Sequence, residues 1–204
     1  MTVGELAGMF NHENRIGVRL HVVKMRGYNR ADWYDQTGLP WIPSSPNLRT
    51  LDEAVLYPGV GMVEGANLSV GRGTGTPFEL VGAPWIDGDR FSAYLERRRI
   101  AGLQVAPANF TPSTDRYANQ LCHGVKIVLE DRNVLDSPAL GIELIAALYR
   151  LYPKDFRIDS TLGMLGSSHV LEQIKSGEDP NVIMQGLQPS LRDFRLLRSR
   201  YLLY

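Results

Sequence analysis

The sequence predicts a mixed α/β chain, with an α+β arrangement as its close variant: a mixed sheet packed by helices, and helices dominating the C-terminal part. Three observations carry this. Val125, Ile127 and Leu129 alternate with Lys126, Val128 and Glu130, the period of a strand with one buried face. Leu140, Leu144, Leu148 and Leu151 recur at helical spacing behind Pro138. Between and after them, capped helical patterns follow one another to the C-terminus.

The elements follow in order. Thr2 with Glu5 three residues on is a capping-box pattern, and Val3, Leu6, Met9 and Phe10 behind it continue a helix. A strand is predicted over Arg19 to Met25, where Leu20, Val22 and Met25 interrupt polar positions. Residues 26–50 read as loop, carrying Trp33, Tyr34, Trp41 and prolines at 40, 43 and 46. Thr50 caps a short helix over Leu51 to Tyr57, with Asp52 and Glu53 in its first turn, and Gly59 releases the chain. Asp87 precedes a helix through Arg99 with Phe91, Tyr94 and Leu95 inward. Leu103 to Phe110 is a strand, and the helix from Pro138 ends before Pro153. Ser167 or Ser168 caps the next helix, which Gly177 stops. Asp179 and Pro180 open another, with Ile183, Met184 and Leu187 inward. The last, from about Ser190, repeats Leu191, Phe194, Leu197 and Tyr201. No internal repeat, low-complexity tract or linker divides the 204 residues, which read as a single domain.

Composition excludes several function classes. At 44% hydrophobic and 22% charged residues this is an ordinary globular chain, long enough to bury roughly 70% of its unfolded surface. Lys plus Arg and Asp plus Glu both number 22, so no global field draws the chain to nucleic acid or an anionic membrane. The runs Arg97, Arg98, Arg99 and Arg192, Arg195, Arg198, Arg200 read as solvated helix faces. No apolar run approaches 18 residues, so no membrane span is expected. The start, MTVGELAGMF, has no basic region before an apolar core, so no signal peptide is expected there, and no targeting segment fixes a compartment. Cys122 is the single cysteine, which excludes an intramolecular disulfide.

Chemistry concentrates in Pro58 to Asp87, PGVGMVEGANLSVGRGTGTPFELVGAPWID, where seven glycines surround Glu64, Asn67, Ser69, Arg72 and Thr74. Glycines let backbone approach a ligand closely, and a carboxylate, an amide, hydroxyls and a guanidinium suit a polyhydroxylated one. The competing reading is a demanding loop whose polar groups satisfy its own backbone. Gly59, Gly61 and Gly65 do not make a dinucleotide fingerprint, because Glu64 stands where the third glycine belongs and would repel a pyrophosphate. Gly71, Gly73 and Gly75 lack the following Lys and Ser or Thr of a phosphate loop. His12, His21, His123 and His169 show no metal-ligand spacing, so neither a metal nor a cofactor is expected, and His123 reads as a structural histidine at a strand entrance. Ser69 lacks the preceding glycine of a nucleophile elbow. Carboxylates remain as acid or base candidates. Glu64 either protonates a leaving group or pairs with Arg72 to fix the loop. Glu79 sits in an apolar run, and Asp87 reads as a helix cap. Trp85, Trp41 and Trp33 offer flat faces to a sugar ring or anchor a core.

Taken together, MTVGELAGMFN, TGLPWIPSSPNLRT at 37–50, the glycine-rich run, YANQLCHGVKIVLEDR and the closing RSRYLLY resemble the NamZ-type exo-β-N-acetylmuramidases of bacterial peptidoglycan recycling. The resemblance runs end to end in family order. Family members are longer, with M-T-V-G-E-L lying mid-chain after a Rossmann-like domain that carries a P-E-H-G motif. That motif is missing here, and with it the glutamate the family is thought to use in catalysis, so the chain resembles the C-terminal half alone. The resemblance implies a glycosidase domain releasing terminal N-acetylmuramic acid, in a cleft between two halves. One wall would be formed by Glu64 as catalytic candidate and by Asn67, Ser69, Arg72, Thr74, Trp85 and Asn47 as substrate contacts. It also implies an N-terminal partner domain, in whose absence any leader would be missing too. Arg72 suits the lactyl carboxylate of N-acetylmuramic acid. Where relatives often read F-E-G-T-N, this chain has Val63, Glu64, Gly65, Ala66 and Asn67, which loses a hydroxyl but keeps acid and amide. A half-hydrolase requiring a partner, a non-catalytic muropeptide-binding module, and an inactive fragment stay open as readings.

Overall fold

The computed structural model describes all 204 residues, in the order α1 (Val3–Glu13), α2 (Leu51–Val60), β1 (Leu80–Ala83), α3 (Gly88–Arg98), β2 (Leu103–Phe110), β3 (Cys122–Leu129), α4 (Ser137–Leu151), α5 (Leu162–Leu165), α6 (Ser168–Lys175), α7 (Pro180–Gly186) and α8 (Gln188–Ser199). Short 3-10 turns occupy Tyr34–Thr37, Gly61–Val63 and Ile158–Thr161. This is the mixed α/β class expected. No helix is long and apolar enough to cross a membrane. The chain divides into two compact units, residues 1–39 with 184–204, and residues 40–183.

The larger unit is built on an antiparallel sheet of order β1-β3-β2. Leu80 faces Lys126 and Gly82 faces Gly124 on one side, while Leu103 faces Leu129 and Phe110 faces Cys122 on the other. The central position of β3 explains why its alternation was the clearest in the chain: Val125 and Ile127 are fully buried. Pro107 lies in β2, an edge strand, where a missing N–H costs no ladder bond on the open side. Gly124 is required by close approach, since a Cβ there would stand 2.0 Å from the Val81 carbonyl oxygen. Helix α3 starts flush on the same spot, because a Cβ on Gly88 would lie 2.7 Å from Gly124 O. Asp87 caps α3 by accepting the Arg90 N–H at 3.0 Å, as its sequence position suggested.

Helix α4 is the apolar axis of this unit, with Leu140, Leu144, Ile145 and Leu148 fully buried. Asp136 caps it at Ala139 N, and Pro138 occupies its first turn. Helix α2 carries the expected capping box, with Thr50 accepting from Glu53 N and the Glu53 carboxylate accepting from Thr50 N at 3.0 Å. It does not end at Tyr57 as its local signals indicate, but runs through Pro58 and Gly59 to Val60. Tertiary packing overrides the two breakers. A Cβ on Gly59 would come within 2.1 Å of Ser137 O, so α2 presses on α4 there, and Ser137 Oγ accepts the Gly59 N–H at 3.0 Å.

The arginine run at the end of α3 also departs from expectation. Arg97 and Arg99 are exposed, but Arg98 turns inward to Glu143 of α4, with contacts of 2.7–3.1 Å, and to Asp179 at 2.8 and 2.9 Å. The guanidinium forks between two carboxylates and ties α3, α4 and the start of α7. Asp179 is held down at about 2, first by Arg98 and then by the Asn181 N–H. Ser167 caps α6, and Gly177 ends the turn behind it with φ +84°.

In the smaller unit, the predicted capping box of Thr2 and Glu5 is present and α1 follows it. Glu5 is buried and holds the C-terminus: its carboxylate accepts the Thr2 N–H at 2.7 Å, the Leu203 N–H at 2.8 Å and a bond from Arg30. Burial pushes this carboxyl up, but the Leu203 and Thr2 N–H groups and the Arg30 guanidinium outweigh it and hold it at about 2. The strand expected over Arg19 to Met25 does not form. No backbone–backbone hydrogen bond engages residues 19–24, since no strand of the chain lies beside them. Helix α8 starts two residues before Ser190 and buries none of its residues: Leu191 and Phe194, expected on an apolar face, are 36% and 42% exposed.

Candidate functional site

The glycine-rich segment is held as an extension of the sheet. Ser69 N donates to Gly82 O at 2.7 Å and Gly82 N returns to Ser69 O at 2.9 Å, so the loop leaves from the open edge of β1. Gly71 and Gly73 both have φ +79°, the left-handed region that an L side chain strains to enter. At Gly73 space forbids a side chain as well, with Thr114 N only 2.6 Å from a notional Cβ. Ser113 N and Oγ both donate to Gly73 O, at 2.9 and 2.8 Å, and lock the loop to residues 111–121, which connect β2 and β3. Arg49 donates to Thr74 O at 3.2 Å and Gly75 O at 2.7 Å from the other side.

Several of the predicted site residues are occupied by this framework. Thr74 Oγ1 donates to Gly71 O at 2.6 Å and accepts the Thr76 N–H at 3.1 Å. Ser69 is buried, and its Oγ accepts the Gly71 N–H at 3.2 Å. Asn67 brackets the chain after α4, donating to Asp155 O and accepting the Arg157 N–H, both at 2.8 Å. Trp85 is half-buried and held in an aromatic cluster: its Nε1–H donates to the Tyr117 hydroxyl at 3.2 Å, Tyr152 meets it edge-on at 5.6 Å, and Phe156 lies 6.5 Å away. Asn47 does not line the loop cavity; its N–H reaches Ser45 Oγ at 3.4 Å. Among the weaker candidates, burial pushes the Glu79 carboxyl up, with Lys126 4.0 Å away opposing it.

What the loop presents outward is charge. A cavity of about 150 Å³ is lined by Glu64, Ser69, Arg72, Asp115 and Arg116. Arg72 pairs with Glu64, faces Asp115 with Nε 3.9 Å from Oδ2, and lies over the Phe78 ring at 5.7 Å. Its Nε is buried without a hydrogen-bond partner, while the side chain as a whole is about one-third exposed. Of the two sequence readings of Glu64, the ion pair with Arg72 is the one present. Asp115 and Arg116 were missed by sequence reasoning. The available signal was length: residues 111–121 form a polar connection far beyond the usual few residues of a hairpin. Asp115, Tyr117 and Asn119 all take left-handed φ, at 66°, 60° and 61°, in that one connection.

Other concavities differ in kind. One of about 370 Å³ lies at the start of α3 with Asp87, Asp89, Asn109 and His123 on its walls, and His123 Nδ1 is 2.7 Å from Asn109 Oδ1, the structural role expected. One of about 610 Å³ lies among α3, α4 and the α6–α7 turn, lined by Tyr94, Tyr149, Arg150 and Lys175, with Lys175 engaged by Asp159 and Glu172 at 2.6 and 3.0 Å. Cys122 is buried, and burial pushes its thiol up to about 11, so it offers no thiolate at neutral pH.

The glycine-rich loop, tied to a sheet edge, thus opens a carboxylate–guanidinium cluster to solvent on an α/β scaffold. Comparison with known proteins makes the class specific. Residues 55–204 match the family model described as exo-beta-N-acetylmuramidase NamZ, C-terminal, and residues 1–52 match its N-terminal counterpart. A curated relative, peptidoglycan beta-N-acetylmuramidase NamZ of Bacillus subtilis (strain 168), is 36% identical over 207 residues, covering 100% of this chain and 50% of its own length. Two crystal structures of DUF1343 family proteins from Bacteroides fragilis NCTC 9343 are similar, each 29% identical: one has a TM-score of 0.87 over 98% of this chain, the other 0.74 over 100%, and both are covered to 55%. The chain belongs to the exo-beta-N-acetylmuramidase NamZ family, and it spans half the length of the curated relative it matches.

Proposed function

We propose that this chain supplies one wall of the saccharide cleft of an exo-β-N-acetylmuramidase acting on peptidoglycan-derived glycans, and that release of terminal N-acetylmuramic acid requires a NamZ-type N-terminal half. The observation that carries this reading is the Glu64–Arg72–Asp115 cluster. N-acetylmuramic acid differs from N-acetylglucosamine by a lactyl carboxylate, and a partly exposed guanidinium lining the loop cavity is a fitting partner for it. Hydrolysis of a glycosidic bond ordinarily takes two carboxyl groups, one of them a proton donor. Glu64 and Asp115 supply two carboxylates, but Glu64 is paired with Arg72 and Asp115 stands 3.9 Å from its Nε, so both are held as anions beside a cation. The general acid is therefore assigned to the partner half, and Glu64 and Asp115 to holding Arg72 in place. Ser69, Asn67 and Thr74 act behind the surface, shaping the loop, and Asn47 and Trp85 are not assigned to the sugar.

The test is ligand binding measured by calorimetry or by chemical-shift change. Arg72→Lys is expected to weaken binding of N-acetylmuramic acid about tenfold, and binding of N-acetylglucosamine little, because a bidentate contact is lost. Equal loss on both sugars overturns the assignment. A non-catalytic binding module is the second reading, favoured by the engagement of Glu64 with Arg72; it predicts saturable binding with no hydrolysis after any complementation.

A further inference from the structure

Residues 15–30 contrast with the rest of the chain. Eight large apolar side chains are exposed within residues 1–30, namely Val3, Phe10, Ile16, Val18, Leu20, Val23, Met25 and Tyr28, against three within residues 58–135. Val3 and Val23 are each 84% exposed. Six of the eight fall within residues 16–28, a density of exposed apolar side chains of the kind that a partner surface covers. The pattern is that of a strand: Leu20 and Val22 alternate with Arg19 and His21, and Val23 and Met25 flank Lys24. Yet residues 19–24 engage in no backbone–backbone hydrogen bond, so a row of N–H and C=O groups is open for pairing.

The ends of this segment are nonetheless fixed. Asn11 brackets Val18 through both its backbone groups, at 2.8 and 3.0 Å, and the Tyr204 hydroxyl accepts the Met25 N–H at 2.7 Å. Val22 packs on Gly4, where a Cβ would lie 2.6 Å from its Cγ1. The segment is held at both ends with its middle unpaired. It also falls within residues 1–52, the part matching the family's N-terminal model, while half of the curated relative has no counterpart in this chain.

We propose that residues 19–25 are an edge strand that completes the β-sheet of a NamZ-type N-terminal half, carried on the same polypeptide or on a separate one. Main-chain bonds would supply the pairing, and the exposed Val23 and Met25, which share one face of such a strand, would enter that half's apolar layer, while Val22 on the other face stays packed on Gly4. This goes beyond the sugar-site reading, and it can fail or hold independently of it, because the test reads pairing and not hydrolysis.

The experiment is amide hydrogen exchange on the 204-residue chain, alone, mixed with the unmatched half of the Bacillus subtilis relative, and fused behind that half so that a poorly folding free half does not decide the result. Exchange at residues 19–25 is expected to slow about 100-fold in the mixture or the fusion, with α4 unchanged. Val23→Pro, which removes a pairing N–H, is expected to abolish the protection and leave the isolated chain's Tm unchanged, while Val23→Thr keeps it. Free-chain exchange in both mixture and fusion overturns the proposal. Protection that grows with the concentration of the chain alone also overturns it, in favour of a second copy as occupant.

Discussion

The glycine-rich loop and the segment after α1 are both irregular, polar-flanked stretches without long regular structure, and they are held in opposite ways. In the loop, nearly every polar group has its partner within the unit: Ser69, Thr74, Asn67 and Arg49 all bond to backbone, and the glycines let neighbouring chain come into contact. In residues 15–30, the anchors sit at the ends and the apolar side chains between them face outward. Rigidity in the first region comes from satisfied hydrogen bonds at close approach. Pairing potential in the second comes from their absence. The proposed binding surface and the proposed docking strand are thus told apart by where their backbone groups find partners.

Changes that test close approach carry the largest effects. Gly124→Ala forces a methyl to 2.0 Å from Val81 O in the centre of the sheet and is expected to cost about 3 kcal/mol or more in urea unfolding. A loss under about 1 kcal/mol would show that the sheet adjusts and that the framework is looser than described. Arg98→Ala leaves Glu143, whose side chain is 8% exposed, without its guanidinium, and a loss of about 3 kcal/mol is expected, with Arg98→Lys recovering part of it. An unchanged midpoint would mean that the fork is ornamental.

The smaller unit is sharpened by acid. Glu5 is depressed to about 2 in the folded chain, so its contribution is fully present above the ordinary carboxyl value of 4.5 and is lost as pH falls from there through about 2. Glu5→Gln is expected to flatten the acid limb of a pH–stability curve, and an identical limb in both proteins would refute that role. Smaller again is Thr50→Ala, which removes a cap of α2 and is expected to lower stability by about 1 kcal/mol. At the lower end, Gly8→Ala lies in α1 with nothing within 4 Å, and a gain of about 0.5 kcal/mol is expected, in contrast to Gly124.

Elements fixed by local periodicity and caps were legible in the sequence. β3, α4 and α3 announce themselves by alternation, by leucine spacing and by Asp87. The run of α2 past Pro58 was not legible, because the contact of Gly59 with Ser137 involves chain far away in sequence. Arg98 read as solvated for the same reason: its carboxylates come from α4 and the start of α7. At the site, the Glu64–Arg72 pairing was within reach because both residues belong to one loop, whereas Asp115 arrives from the β2–β3 connection. The unformed strand at 19–25 is the instructive miss. Its local signal is present, but a strand exists only with a neighbour, and this chain offers none beside it.

The central claim, that this chain provides one wall and a partner half provides the acid, is tested most directly by release of 4-nitrophenol from 4-nitrophenyl N-acetylmuramide. The account predicts no release by the 204-residue chain alone and release once a NamZ-type N-terminal half is added or fused, reduced by Arg72→Lys. Release by the chain alone, abolished by Glu64→Gln or Asp115→Asn, would contradict it and place the catalytic acid in the loop cavity.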